Sequence, residues 1–593
     1  MTRLCDRRSD PATGAQFVYA ALRFLCDPMT HVFRRFGTQD FTASSWASTA
    51  AFAALHIAAV ASIGWTEWNS FGFGLALLTW LFLNAFWLVL LRRPAISAAL
   101  SLIVIEALIA LSLFKFSIVE STIGFLDFLV VDADTVSFLL MIFPELRIAF
   151  AIGVVLVVAL LVLLWRLDPF RVPHSLALTG GTACLAAMIA VASAVPERPW
   201  EPFGGTNHVS NFTRSGVLSV AELLSHGWFE AAATVDRLHA LSLDEECRPA
   251  AKLPHIIMLL DESSFDITAA PGVKVPPGYR DHFRSFDGRE RRFLAESTGG
   301  PTWYAEYNVL TGLSARSFGR FMLYVTRIAA GRMLRGLPLA LKRCGYKTYT
   351  LYPASKGFLS AERFQRGVGI EHFVDLEGMG VKSDIQPDEF FLGHVLATIA
   401  HERGAAPLFI FAYVAVNHFP WNWTFRPDLT PDWRPLGNSP EVDEYIRRQT
   451  MSAHDYAGFV SRLRRDFPDD AFLVVRFGDH QPALSIKVLD PDASTAQIVE
   501  RVMRYDPRYF TTYYAIDAVN FAPVDVSSAL DTLEGPYLPL VLQEAAGVPL
   551  DSTFAEQKKI LVRCVELFYG CANGSEARRF DRMLIEAGLI KGF

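Results

Sequence analysis

Four side chains in this sequence have the types and the setting to hold a divalent ion and to activate a hydroxyl. They are Glu262 in "LLDES", Thr302 in "GGPTWYAE", and Asp479 and His480 in "RFGDHQP". Carboxylate oxygens joined by one imidazole suit Zn2+ or Mn2+ better than Ca2+, which takes oxygens alone, or a structural zinc, which usually takes cysteines. A threonine hydroxyl is a weak nucleophile at its own pKa, and a bound cation is one of the few ways to activate it. Thr302 stands where a Gly-Gly-Pro loop turns into a helical pattern, and backbone N–H groups at a helix start favour phosphate. Each residue also has an ordinary explanation. A threonine at a helix start is a common N-cap, an Asp-His pair after a strand often caps a turn, and Glu262 could be a helix N-terminal acid. The order in the chain is what points to chemistry: strand then Glu, Gly-rich loop then Thr then helix, strand then His418, strand then Gly-Asp-His.

The elements that must position these groups follow the same order. "HIIMLLDES", "YKTYTLYP", "PLFIFAYVAVNHF" and "AFLVVRFGDHQPA" are short apolar runs that end in polar or charged residues, the pattern of buried parallel strands. Between them lie helical stretches such as "GLPLALKRCG", "DEFFLGHVLATIAHERG" and "YIRRQTMSAHDYAGFVSRLRRDF". Strands alternating with helices predict an α/β domain with a mostly parallel central sheet, over 253–593. Ligands of such sheets bind beyond the carboxyl ends of the strands, where Asp261, Glu262, His418, Asp479 and His480 collect. His454 and Asp455 fall on an apparent helix and read as structural; His255, His282 and His394 carry no motif.

The first third has a different character. The 593 residues are too many for one core, and 51% of them are hydrophobic, an excess concentrated before residue 200. Mean hydropathy is +0.26. A net charge of −6 argues against a nucleic-acid partner. Five stretches, 45–64, 72–91, 95–114, 147–165 and 175–195, have the roughly 20 apolar residues needed to cross a bilayer. The segment 117–143 is apolar but holds Glu120, Asp127, Asp132 and Asp134, which predicts an interfacial or re-entrant piece rather than a sixth span. Arginines cluster in residues 1–44, at Arg92 and Arg93, and at Arg166 and Arg171, alternating with poorly basic loops. That asymmetry predicts a cytoplasmic N-terminal segment and, after five spans, an outer C-terminal domain. The first forty residues are arginine-rich and lack the pattern of a cleavable signal. Residues 196–252 read as a linker, with Trp200 and Phe203 as interfacial anchors and an amphipathic helix in "VLSVAELLSHGWFEAAATVDRLHAL". None of the seven cysteines forms a C-x-x-C pair. Cys247, Cys344, Cys564 and Cys571 fall in the outer part, where disulfides persist; Cys564 could pair with Cys571 and leave Cys247 with Cys344, or all four could be free thiols.

"LLDESSF", "GGPTWYAEYNVLTGL", "VNHFPW" and "RFGDHQP", in this order behind five spans, resemble the lipoteichoic acid synthase and phosphoethanolamine transferase group of the alkaline phosphatase (sulfatase-like) superfamily. The Gly-Asp-His element and the Thr-x-x-x-Glu spacing resemble the lipoteichoic acid synthases more. "LDESSF" lacks the Gly-Glu-Thr-x-Arg element usual in the phosphoethanolamine transferases. The resemblance implies a sulfatase-like catalytic fold, with Glu262, Thr302, Asp479 and His480 around one Mn2+ or Zn2+ ion. It implies that Thr302 takes the head-group phosphate from a membrane phospholipid, and that His418 contacts that phosphate or protonates a leaving group. The Trp-x-Arg element that binds glycerol phosphate in the synthases has no tryptophan here; "YPASKGFLSAERFQRGVGIEHFVD" offers Lys356 and Arg363 as substrate-binding candidates, which read equally as exposed basic residues. No Cys-x-Pro-x-Arg or Ser-x-Pro-x-Arg occurs near the nucleophile, against a formylglycine sulfatase.

The expectation is a metal-dependent transferase in a bacterial inner membrane. It moves phosphoglycerol or phosphoethanolamine from a phospholipid to an extracytoplasmic glycan or lipid through a phospho-threonine. A phosphodiesterase or phosphatase would use the same residues with water as acceptor, and an inactive membrane scaffold would need none of them.

Overall fold

A computed structural model describes residues 43–592 apart from 120, 130–135, 137–138, 141–142, 144, 196–200, 233–245, 382–385 and 405. The basic residues from Arg3 to Arg35, the acids Glu120, Asp132 and Asp134, and Trp200 lie outside the described residues. The chain divides into two compact units, 1–128 with 138–221, and 129–137 with 222–593.

The first unit holds five helices long and apolar enough to cross a membrane: Trp46–Thr66, Ser70–Leu91, Pro94–Ser117, Leu146–Leu167 and His174–Ala194. The predicted spans 45–64, 72–91, 95–114, 147–165 and 175–195 each fall on one of them. A medium without water favours internal partners for polar groups. Asp168 accepts from the Ala95 N–H at 2.8 Å, at the start of the helix that opens on Pro94. Of the interfacial stretch, Phe125–Leu129 is a short 3-10 helix, and Asp127 meets Lys115 at 2.8 Å. In the linker a helix runs His208–His226, overlapping the start of the expected amphipathic stretch, and stops before Gly227, whose φ of 75° ends the turn; residues 233–241 of that stretch lie outside the described residues.

The second unit is built on one eight-stranded sheet of order β4-β3-β5-β1-β6-β7-β2-β8. The strands are β1 (His255–Asp261), β2 (Arg291–Leu294), β3 (Lys347–Leu351), β4 (His372–Val374), β5 (Leu408–Val414), β6 (Phe472–Gly478), β7 (Thr511–Val519) and β8 (Thr532–Glu534). All pairings are parallel except those of β7 with β6 and with β2. Every residue of β1, β5 and β6 is buried, because helices cover the sheet: Ile257, Ile410 and Val474 share a core with Val395 and Ile399 of helix Asp388–Glu402 and with Phe459 and Leu463 of helix Pro440–Asp466. The four apolar runs of the sequence are β1, β3, β5 and β6. Two disulfides, Cys247–Cys344 and Cys564–Cys571, lie in this unit.

Candidate active site

The register of the three central strands assembles the site. Asp261 stands level with Val414 of β5 and Gly478 of β6, so Glu262, the loop to His418, and Asp479 leave the sheet side by side. Gly478 must be glycine: a Cβ there would lie 1.9 Å from the Ser264 carbonyl oxygen. Ser263 takes a left-handed φ of 54°, a conformation costing about 1–2 kcal/mol. In that pose its N–H reaches Asp479 Oδ1 at 2.8 Å and its Oγ reaches Glu262 Oε1 at 2.9 Å.

The Gly-Gly-Pro-Thr loop is tied to the β6 side. Thr298 bridges to Gln481, and the Gly299 N–H donates to the Gln481 carbonyl at 2.8 Å. Gly299 sits at φ 73°, and a Cβ there would lie 3.4 Å from Ala483. The helix is Thr302–Thr311 with Pro301 at the N-cap, so Thr302 is its first residue and not its cap. The Thr302 hydroxyl donates to Glu262 Oε2 at 3.1 Å and lies 3.4 Å from His480 Nε2. His480 gives its Nδ1–H to the Gln481 carbonyl at 2.9 Å, which turns Nε2 inward. From Nε2 it is 3.4 Å to Glu262 and 3.2 Å to Asp479 Oδ2.

Donor atoms of Glu262, Asp479 and His480 lie within 4.8 Å of one another, and all three residues are buried. Asp479 Oδ2 has no hydrogen-bond partner among the described residues. The electrostatics show like charges forced together. Burial and the charge of Glu262 push Asp479 up. Burial also works against a charged Glu262, but the hydrogen bond and charge of His480 hold it down. Burial opposes a proton on His480, yet the charge of Asp479 and the bond to Glu262 raise it to about 9. Two carboxylates, an inward imidazole and an orphaned oxygen in a dry pocket fit a divalent cation, for which their lone pairs could serve as ligand atoms.

The other sequence candidates separate. The charge of His418 acts on Glu262, and its Nδ1 contacts the Phe419 carbonyl at 2.8 Å. Lys356 is exposed, and Arg363 is exposed on helix Ala361–Gly367; neither side chain contacts the Glu262, Asp479 and His480 group. Asp455 accepts from the Glu389 N–H, a structural role. Glu306, left open by the sequence, is buried: it accepts from Gln365 Nε2 at 2.8 Å, and burial raises it to about 7. Gln365 also reaches Tyr413 and Thr350, so the helix that begins at Thr302 is fastened to β5 and β3. A second acid-histidine pair, which no motif marks, lies just below the site. Asp261 Oδ2 accepts from His282 at 2.9 Å and from Tyr513 at 2.6 Å.

Fold and site together define an α/β domain that brings a hydroxyl and a hard metal-donor set to the carboxyl ends of parallel strands. Residues 292–500, which include Thr302, His418, Asp479 and His480, match the family model described as Sulfatase. A relative from Rhizobium meliloti (strain 1021), described as "Putative cyclic beta-1,2-glucan modification protein", is 24% identical over 264 residues; the match spans 43% of this chain and 39% of that protein. Among solved structures, the Streptococcus pyogenes phosphoglycerol transferase GacH in complex with sn-glycerol-1-phosphate is similar at 17% identity and a TM-score of 0.44, over 56% of this chain and 85% of that one. The Neisseria meningitidis lipooligosaccharide phosphoethanolamine transferase A is similar at 11% identity and a TM-score of 0.42, over 84% of this chain and 99% of that one.

Proposed function

We propose that the protein is a membrane-anchored transferase. It moves a phospho-alcohol head group, phosphoglycerol or phosphoethanolamine, from a phospholipid to an acceptor glycan through a phosphorylated Thr302. The observation that carries this reading is the Thr302 hydroxyl 3.1 Å from Glu262 and 3.4 Å from His480, beside the open Oδ2 of Asp479. A Zn2+ or Mn2+ ion held by Glu262, Asp479 and His480, with the Thr302 oxygen as a further ligand, would lower the pKa of that hydroxyl and offset charge on the phosphoryl oxygens.

The residues of the chain do the rest. Helix Thr302–Thr311 begins at the nucleophile, and its positive N-terminal end favours the phosphate. The Thr302 hydroxyl loses its proton to solvent, Thr302 Oγ forms a bond to phosphorus as the bond to the diacylglycerol oxygen breaks, and His418 delivers the proton that oxygen needs. An acceptor hydroxyl then gives its proton back to His418 and attacks phosphorus, the Thr302 O–P bond breaks, and the Thr302 oxygen takes a proton back from solvent. This is a two-step covalent mechanism.

The five apolar helices support anchoring at the surface where the donor lies, which raises its effective concentration. Arginine placement supports an N-terminal segment in the bacterial cytoplasm and a second unit outside it. Two disulfides in the second unit suit an oxidising compartment. The relative named for glucan modification supports a glycan as acceptor.

The test is transfer from vesicles of phosphatidylglycerol or phosphatidylethanolamine, labelled in the head group, to a soluble β-1,2-glucan. Label on the glucan is the expected result. Head-group release at the same rate with water alone would replace the transferase with a hydrolase.

A further inference from the structure

The loop from Asn417 to Asn438 begins beside the proposed phosphate site and carries two large rings in the open. Phe419 is 48% exposed and Trp423 is 46% exposed. Phe419 stacks on His418, ring centroids 4.5 Å apart at 26°. Neighbouring exposed apolar groups can mark a ligand or partner contact. These are held rigidly from beneath. Arg448, fully buried, donates to the carbonyls of His418, Pro420 and Trp423, and its guanidinium lies 5.2 Å from the Trp423 ring centroid. Arg447 binds the Phe425 carbonyl and Thr430, and Glu444 ties both arginines and the Phe425 N–H together. Asn417 is fastened to Gln449 at 2.5 Å, and Trp421 donates back to the Asn417 carbonyl. Three buried charges and a ladder of main-chain bonds thus fix a loop whose outer face carries two half-exposed rings.

We infer that Phe419 and Trp423 form a platform for a sugar ring of the acceptor, next to His418. This rests on the glycan-transfer reading above and adds where the acceptor lies. A pyranose presents a face of C–H bonds that packs on an aromatic face, and a rim of hydroxyls that needs hydrogen bonds. Both halves are here. Asn422 and Thr424, on either side of Trp423, are exposed, and their side chains bond nothing among the described residues. Rings fixed in advance lose little entropy when the sugar arrives. A membrane surface is the weaker fit. Arg426 and Arg434 are matched by Asp428 and Asp432, so the loop has no net charge to draw it to anionic lipid.

The experiment uses the full chain in phosphatidylglycerol vesicles with a soluble β-1,2-glucan at varied concentration. Phe419→Ala and Trp423→Ala are each expected to raise the glucan KM about tenfold, the size of a buried aromatic contact. The ratio of glucan product to hydrolysed head group falls in step, and Trp423→Phe restores most of both. Both rings are surface groups, and thermal unfolding checks that each variant is folded. An unchanged glucan KM in both alanine variants overturns the platform. A KM raised for the vesicle donor and not for the glucan also overturns it, and makes the rings a membrane contact. Glucan that accepts nothing from the unaltered chain overturns it together with the glycan reading, while head-group labelling of Thr302 in the same sample would leave the first chemical step standing.

Discussion

Two acids end β1, one after the other, and each meets a histidine, yet they are built to opposite ends. Asp261 is sealed: His282 and Tyr513 saturate its Oδ2. Burial lowers the pKa of His282, keeping the ring neutral, and Arg476 lies against its carbonyl at 2.9 Å. Glu262 is left open: its histidine faces a second carboxylate with an unbonded oxygen, and a hydroxyl points in from another loop. Alternation along a strand sends the two side chains to opposite faces. Below, polar groups are spent on one another and fix the strand end. Above, they are held close with bonding capacity unspent, which destabilises the fold and prepares a ligand site. The difference separates structural from functional polar groups better than residue type does.

The comparison predicts opposite signs for substitutions one residue layer apart. The largest effect is on chemistry: Thr302→Ala is expected to lower head-group transfer by about 10⁴-fold or more with the fold unchanged, measured as initial rate alongside thermal unfolding. Next, His282→Ala strips the buried Asp261 of a partner. It is expected to cost about 3 kcal/mol of stability in denaturant unfolding, with bound metal per chain retained. Asp479→Asn should do the reverse. Metal affinity falls more than about 100-fold, read by titration after chelation, while the metal-free protein is no less stable because burial and Glu262 already disfavour a charged carboxylate there. If Asp479→Asn and His282→Ala destabilise equally, the distinction between an open and a sealed pair fails.

The smallest effect concerns Glu306, whose carboxyl is raised from 4.5 to about 7 by burial. Between those values the folded chain holds a proton that the unfolded chain has lost. Stability contributed by that proton is therefore full below about 4.5 and is lost as pH rises through about 7. Glu306→Gln keeps the contact with Gln365 and should flatten the pH dependence of unfolding in that window. An unchanged slope would place the titration elsewhere.

Much of the site was legible because it follows strand ends. "LLDES" and "RFGDHQP" announce a buried strand and its terminal acids together, and register then forces Glu262 and Asp479 into one place. The five spans were legible from apolar length alone. β2, β4 and β8 were not, being only three or four residues long, too short for any hydrophobic period to show. β7 was missed because no terminal acid marks it, although it is the one strand that runs against the rest. Thr302 was read as a cap position; Pro301 takes that place, and the hydroxyl is turned to Glu262 instead. His282 meets Asp261 21 residues away, and Arg448 meets carbonyls 25 to 30 residues away, contacts of which spacing carries no trace.

The central claim is that Thr302 carries the transferred group. Peptide mass spectrometry of the full chain after incubation with phosphatidylglycerol or phosphatidylethanolamine vesicles, without acceptor, tests it most directly. The predicted result is a phospho-alcohol mass on the peptide containing Thr302, lost in Thr302→Ala and discharged when glucan is added. An active protein with no adduct on that peptide, or an adduct that persists in Thr302→Ala, would contradict it.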